Sequence, residues 1–202
     1  TLENMGYTSG LYPNANHVAV KVPVFSFEKL AGLDTSLGPE MKSTGEVLGI
    51  APTLNEALYK GLLGAGYHFD SKGGVLITVR DTDKEEVIQI AKDFSTLGFH
   101  LYATEGTTNT LRENGLNVTM VHKIHESEHN TISLLESGKV NYIISTTKKG
   151  RSPRLDSVKI LRKSVELGIP CLTSLDTAKA LTRILAMDYT PKKTSVIDIS
   201  TL

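Results

Sequence analysis

Gly73-Gly-Val-Leu-Ile-Thr-Val-Arg80, then Asp83 to Leu97, then Phe99-His-Leu-Tyr-Ala103: the fold is decided in this stretch. Val75–Val79 is a short apolar run rich in β-branched residues and preceded by two glycines, the pattern of a strand. From Asp83 the period changes. Val87, Ile88, Ile90, Ala91 and Phe94 make a broad stripe at helical spacing, and Gly98 stands where a helix end favours a residue without a β-carbon. Phe99–Ala103 then returns to the strand pattern.

The same alternation continues outward. Asn109–Asn114 reads as a short helix, Val118–Val121 as a third strand, and Ile132–Leu135 as the centre of a helix stopped by Gly138. Tyr142–Ile144 is the fourth strand, Leu155–Leu167 a helix stopped by Gly168, Ile169–Thr173 the fifth strand, and Thr177–Ala186 the last helix. Strands alternating with helices predict an α/β fold, an open parallel five-stranded sheet with helices on both faces.

Upstream the pattern differs. His17 to Phe27 reads as a strand that Pro23 confines to an edge or a bulge. Met41–Gly49 leads into a second short strand, and Thr53-Leu-Asn-Glu56 is a capping box opening a helix that carries Ala57, Leu58, Leu62 and Leu63 to Gly64. A segment this small hides too little surface to close a core of its own. Residues 1–66 therefore read as a piece of a larger α+β domain, and residues 67–202 as the parallel-sheet domain. The chain opens on Thr1, consistent with a fragment of something longer.

Composition excludes some classes. The 202 residues are 40% hydrophobic and 22% charged, with a formal net charge of zero. No global field recommends nucleic acid or an anionic membrane as partner. No apolar run reaches membrane-spanning length, no signal-peptide pattern opens the chain, and the expected location is cytoplasmic. The single cysteine, Cys171, rules out a disulfide framework and reads as a small buried hydrophobe.

Ligands of open parallel sheets bind outside the carboxyl ends of the strands. Those ends read Thr78-Val-Arg-Asp-Thr-Asp-Lys84, Ala103-Thr-Glu-Gly-Thr-Thr108, Val121-His-Lys-Ile-His125 and Ile144-Ser-Thr-Thr-Lys-Lys-Gly-Arg151. Hydroxyls, lysines and helix starts suit a phosphate: the hydroxyls and N–H groups donate, the lysines add charge, and the helix dipole favours an anion. Thr78, Lys84, Thr104, Gly106, Thr107, Lys123, Ser145, Thr146 and Thr147 are the candidate phosphate-binding residues. Gly106 lets backbone approach the ligand. The plainer alternative is that the threonines of 104–108 only cap a helix.

Catalytic machinery is thin. His122, His125, Glu126 and Glu128 are irregularly spaced and read as a solvated loop rather than a metal site. There is no Gly-x-Ser-x-Gly elbow, no phosphate-binding Gly-x-x-x-x-Gly-Lys loop and no Gly-x-Gly-x-x-Gly after a strand.

Leu37-Gly-Pro-Glu-Met-Lys-Ser-Thr-Gly-Glu-Val47 resembles the signature closing the second ATP-grasp unit of carbamoyl-phosphate synthase large subunits. The domain after it is similar to the methylglyoxal-synthase-like regulatory module that ends the same polypeptide. The resemblance covers nearly the whole chain. It implies the C-terminal part of an enzyme that makes carbamoyl phosphate from bicarbonate, two ATP and ammonia from a glutaminase subunit, for pyrimidine and arginine synthesis. The partners implied are the rest of the large subunit, the glutaminase small subunit and a nucleotide effector such as UMP, IMP or phosphoribosyl pyrophosphate. ATP with Mg or Mn would belong to the parent enzyme; this fragment is expected to hold no cofactor and no metal, and to have no catalysis of its own.

By the same resemblance the effector phosphate falls on Thr78, Lys84, Thr104, Thr107, Lys123 and Thr147, and Thr44 and Glu46 match positions lining the carbamate channel. Ser145 stands where the family often has Asn. Members activated by ornithine carry a Tyr-Asp-Thr run at the fifth strand and a Glu in the earlier β-segment; here Cys171-Leu-Thr173 and Ala19 stand there, which implies no ornithine response. A free-standing methylglyoxal-synthase-like lyase is the alternative. It would need a carboxylate base in a Gly-Gly-Asp turn and a nearby His, where this chain has Glu126-Ser-Glu128 and Gly150-Arg-Ser-Pro-Arg154.

Overall fold

The computed structural model describes residues 1–11, 14–25, 41–146 and 156–201. Two strands come first, β1 (Val18–Val24) and β2 (Gly45–Ala51), paired antiparallel as a two-stranded ribbon, followed by α1 (Leu54–Gly64). Pro23 is accommodated as the edge reading required, because β1 has β2 as its only strand partner among the described residues. The ribbon lies close on α1 where glycines on either side leave room. A β-carbon on Gly49 would sit 1.9 Å from the Ala57 carbonyl oxygen, and one on Gly61 would sit 2.8 Å from Val22 Cγ2.

Thr53 caps α1 as expected, accepting from the Glu56 N–H at 3.4 Å. The second half of the expected capping box is not made. The Glu56 carboxylate instead accepts from the N–H and hydroxyl of Ser195 at 2.8 and 2.7 Å and pairs with Lys60 at 3.2 Å. The chain beyond the last helix thus straps across α1.

The second unit is the expected α/β domain. Strands β3 (Gly74–Thr78), β4 (His100–Thr104), β5 (Val118–Val121), β6 (Tyr142–Ser145) and β7 (Cys171–Leu172) form a five-stranded, all-parallel sheet in the order β5-β4-β3-β6-β7. Helices α2 (Lys84–Thr96), α3 (Glu105–Glu113) and α6 (Leu175–Ala186) contribute Val87, Ile90, Phe94, Leu111, Ala178 and Leu181 to a core on one face. Helices α4 (Thr131–Glu136) and α5 (Asp156–Glu166) contribute Leu135 and Ile160 to a core on the other, against Leu76 and Ile143. Burial follows position: β3 and β6 are buried along nearly all their length, whereas the edge strand β5 exposes its two middle residues.

Two glycines make the start of β3 possible. Gly73 adopts φ 134°, open to glycine, and a β-carbon on Gly74 would lie 2.4 Å from the Lys139 carbonyl oxygen. Three element limits differ from the sequence reading by more than a residue at one end. Helix α3 begins at Glu105, so it takes in the Thr-Glu-Gly-Thr-Thr run after its first threonine; β7 is shorter, with one strand partner among the described residues and Pro170 before it; and α6 starts two residues earlier, behind Ser174.

Candidate anion site

The strand order makes the site. After β3 the chain turns to the face covered by α2, and after β6 it passes to the face covered by α5, so a crevice opens between the carboxyl ends of β3 and β6. Register then aligns the hydroxyls. Thr78 pairs with Ser145, the preceding Ile77 pairs with Ala103, and Thr104 pairs with Val121. Thr78, Thr104 and Ser145 therefore stand in one row across three adjacent strands. They also share a face, because the alternation that sends Ile77, Ala103 and Ile144 into one core sends their neighbours to the other side. The Thr104 hydroxyl reaches Thr78 Oγ1 at 3.5 Å, the long limit of a hydrogen bond. Ser145 is only 3% exposed.

Helix α3 starts at the end of this row and is not capped by a side chain. Thr104 occupies the N-cap position but makes no capping bond, and Thr108 donates back to the Ala103 carbonyl at 2.9 Å. Thr107, 2% exposed in the first turn, makes no hydrogen bond among the described residues through its hydroxyl. Pure capping is thus not what these threonines do. Among the described residues they leave first-turn N–H groups without a side-chain cap and the Thr107 hydroxyl without a hydrogen bond beside the row, a donor set that fits an anion.

Lys84 opens α2 and reaches over this helix start. A β-carbon on Gly106 would lie 2.9 Å from Lys84 Nζ, so glycine is what lets the ammonium settle there. The same ammonium pairs with Asp81 at 2.8 Å, and Asp81 is well exposed. An arriving phosphate would compete with that carboxylate for the cation.

The other candidates divide. Lys123 is exposed after β5, one strand beyond Thr104, and its N–H donates to Glu126 at 2.8 Å. Thr146 follows β6 at the crevice but is turned into the fold: the Arg80 N–H donates to its hydroxyl at 3.2 Å, its hydroxyl bonds Asp83, and its own N–H donates to the Thr78 carbonyl at 3.1 Å. Both its hydroxyl and its N–H are thus engaged within the fold. Thr147 and the basic run 148–151 lie outside the described residues.

Thr44 and Glu46 lie apart from this site, on the ribbon. Thr44 donates through N–H and hydroxyl to the Val24 carbonyl at 2.8 and 3.3 Å, and exposed Glu46 pairs with Lys21 at 2.9 Å. His122 stands 3.9 Å from Glu126, and no group of three or more His, Cys, Asp or Glu among the described residues is arranged to hold a metal. Burial pushes the Cys171 thiol up to about 11, which leaves it unionised and unreactive at neutral pH. No helix among the described residues is long and apolar enough to cross a membrane.

Residues 86–173 match the family model of the MGS-like domain. The five-stranded parallel sheet flanked by helices is consistent with that fold. The MGS-like match contains Thr104, Gly106, Thr107, Lys123, Ser145 and Thr146, whereas Thr78 and Lys84 precede it and join the site through the fold. The buried Asp83 was missed in the sequence. Its signal was available: an acidic residue directly before a helix, flanked by an arginine three residues earlier.

Proposed function

We propose that the parallel-sheet domain binds a phosphorylated nucleotide effector, and that the chain is the regulatory C-terminal part of a glutamine-dependent carbamoyl-phosphate synthase. The observation that carries the anion reading is the arrangement at α3: an uncapped helix start, Thr107 in its first turn with no hydrogen bond from its hydroxyl among the described residues, and the Lys84 ammonium over Gly106. The choice of parent enzyme rests on the resemblance at 37–47, since an MGS-like domain also fits a methylglyoxal-synthase-like protein. In this reading ATP and Mg or Mn act in the remainder of the large subunit, the glutaminase subunit supplies ammonia, and Thr44 and Glu46 line the carbamate path. The effector acts by binding the active and inactive states of the synthetase with different affinity.

Calorimetric titration with UMP, IMP, phosphoribosyl pyrophosphate and ornithine tests the reading. Saturable binding of a phosphorylated ligand is expected, with none of ornithine, and a loss of about tenfold or more in Lys84→Ala and Thr107→Ala. A folded chain that binds none of the phosphorylated ligands sinks the effector reading. Release of phosphate from dihydroxyacetone phosphate would replace it with the lyase.

A further inference from the structure

Asp83 is a charged residue only 8% exposed, next to the site but outside it. Carboxylates so buried are held by donors. Arg80 Nε donates to both of its oxygens at 2.8 Å, the Thr82 hydroxyl to one at 3.0 Å, and the Thr146 hydroxyl bonds it from the end of β6. Asp83 is also the residue before α2, where an aspartate ordinarily accepts from the helix's own N–H groups, yet it makes no capping bond. Its hydrogen bonds have been diverted from the helix to the crevice.

We propose that Asp83 is the positioning residue of the anion site: it ties the turn after β3 to the end of β6, so that Thr146 shapes the pocket without touching the ligand. The proposal deepens the effector reading and rests on it. A hydroxyl has one proton. That of Thr146 goes to an acceptor-only carboxylate, its oxygen accepts from Arg80 N–H, and its own N–H is spent on Thr78. A phosphate offers acceptors and finds no donor there. The clamp grips at three points that bear on the site: the Thr78 carbonyl, whose hydroxyl stands in the row; Thr146, next to Ser145; and Asp83 itself, directly before Lys84.

UMP titration of wild type, Asp83→Asn, Thr146→Val, the double variant and Thr146→Ser tests this, with amide exchange measured on the ligand-free proteins. Each disabling single variant should weaken UMP about tenfold, the double variant no further than either single, and Thr146→Ser should bind as wild type. Exchange at the Arg80, Asp83 and Thr146 amides should quicken about tenfold in Asp83→Asn, while the His100 amide, bonded to Gly73 at the opposite end of the sheet, stays unchanged. A residue that only stabilised the fold would lower the melting temperature without this pattern in Kd. If Thr146→Val costs the same in wild-type and Asp83→Asn backgrounds, Thr146 holds the ligand itself and the proposal is overturned. Unchanged exchange in Asp83→Asn overturns it independently. Wild type that ignores UMP, IMP and phosphoribosyl pyrophosphate overturns the effector reading instead, and the exchange data still decide whether the clamp exists.

Discussion

In the five-stranded sheet, β3 and β6 are buried on both faces and helices meet them through large side chains such as Phe94, Leu135 and Ile160. In the β1–β2 ribbon, among the described residues, one face is covered by a single helix, and the contact is made where glycines of either partner meet backbone or the small side chains Val22 and Val47. The other face carries Lys21, Glu46 and Leu48, the last at 56% exposure. The first arrangement removes enough apolar surface from water to hold itself together. The second borrows from its neighbour: Tyr59 of α1 packs on Phe69 and Tyr189 with ring centroids 4.9 and 5.3 Å apart, and the tail holds Glu56 and Lys60 through Ser195. The small unit is ordered by what it leans on.

The contrast can be broken most forcefully from the sheet side. Phe94 is fully buried and packs on Phe99 and Tyr142, so Phe94→Ala should cost about 3–5 kcal/mol and lower the midpoint of global denaturant unfolding. Gly49→Ala comes next. Its β-carbon would meet backbone atoms of α1, which cannot give way as a side-chain tip can, so a local loss of about 3 kcal/mol is expected. Limited proteolysis should then cut within 18–64 while the parallel-sheet domain still melts cooperatively.

A smaller effect tests the strap. Glu56→Gln should cost about 1–2 kcal/mol and speed amide exchange at Ser195. Hydrogen bonds from the Ser195 hydroxyl and N–H hold the Glu56 carboxyl below its ordinary value. At Asp83 burial pushes the carboxyl up, but hydrogen bonds from Thr146, Arg80 and Thr82 outweigh it, so this group too lies below the ordinary range. A carboxylate depressed in the folded state contributes stability above its unfolded value and loses it as pH falls through the folded one. Strap and clamp should therefore be intact at neutral pH and open in acid, with exchange at Ser195 and Thr146 rising on acidification beyond the intrinsic pH dependence. The smallest effect belongs to the exposed Lys21–Glu46 pair, for which a double-mutant cycle should return less than about 0.5 kcal/mol.

Much of this was legible in the residues. The stripe from Val87 to Phe94, the stops at Gly98 and Gly168, and the hydroxyls at the strand ends all read correctly, because periodicity and turn chemistry are local. Thr53-Leu-Asn-Glu56 read only half correctly: the cap is local, but Glu56 found Ser195 far along the chain. Thr146 stands at the crevice the strand ends pointed to, but its bonds to Arg80, Asp83 and Thr78 were not legible, since sequence shows a hydroxyl but not which acceptor takes its proton. Helix α3 was begun too late because threonines and a glycine depress helix propensity, and the surrounding packing overrode them.

By itself the sequence determined the alternation of strands and helices, the parallel sheet that alternation requires, and the donor-rich composition of the strand ends, since each depends on neighbours within a few positions. Only the tertiary structure decided the strand order that opens the crevice between β3 and β6, the row that brings Thr78, Thr104 and Ser145 onto one face, the seat of Lys84 over Gly106, and the clamp of Asp83 on Thr146. Those depend on which distant segments pack together, and a buried charge or hydroxyl takes its partner from whatever the fold brings within reach.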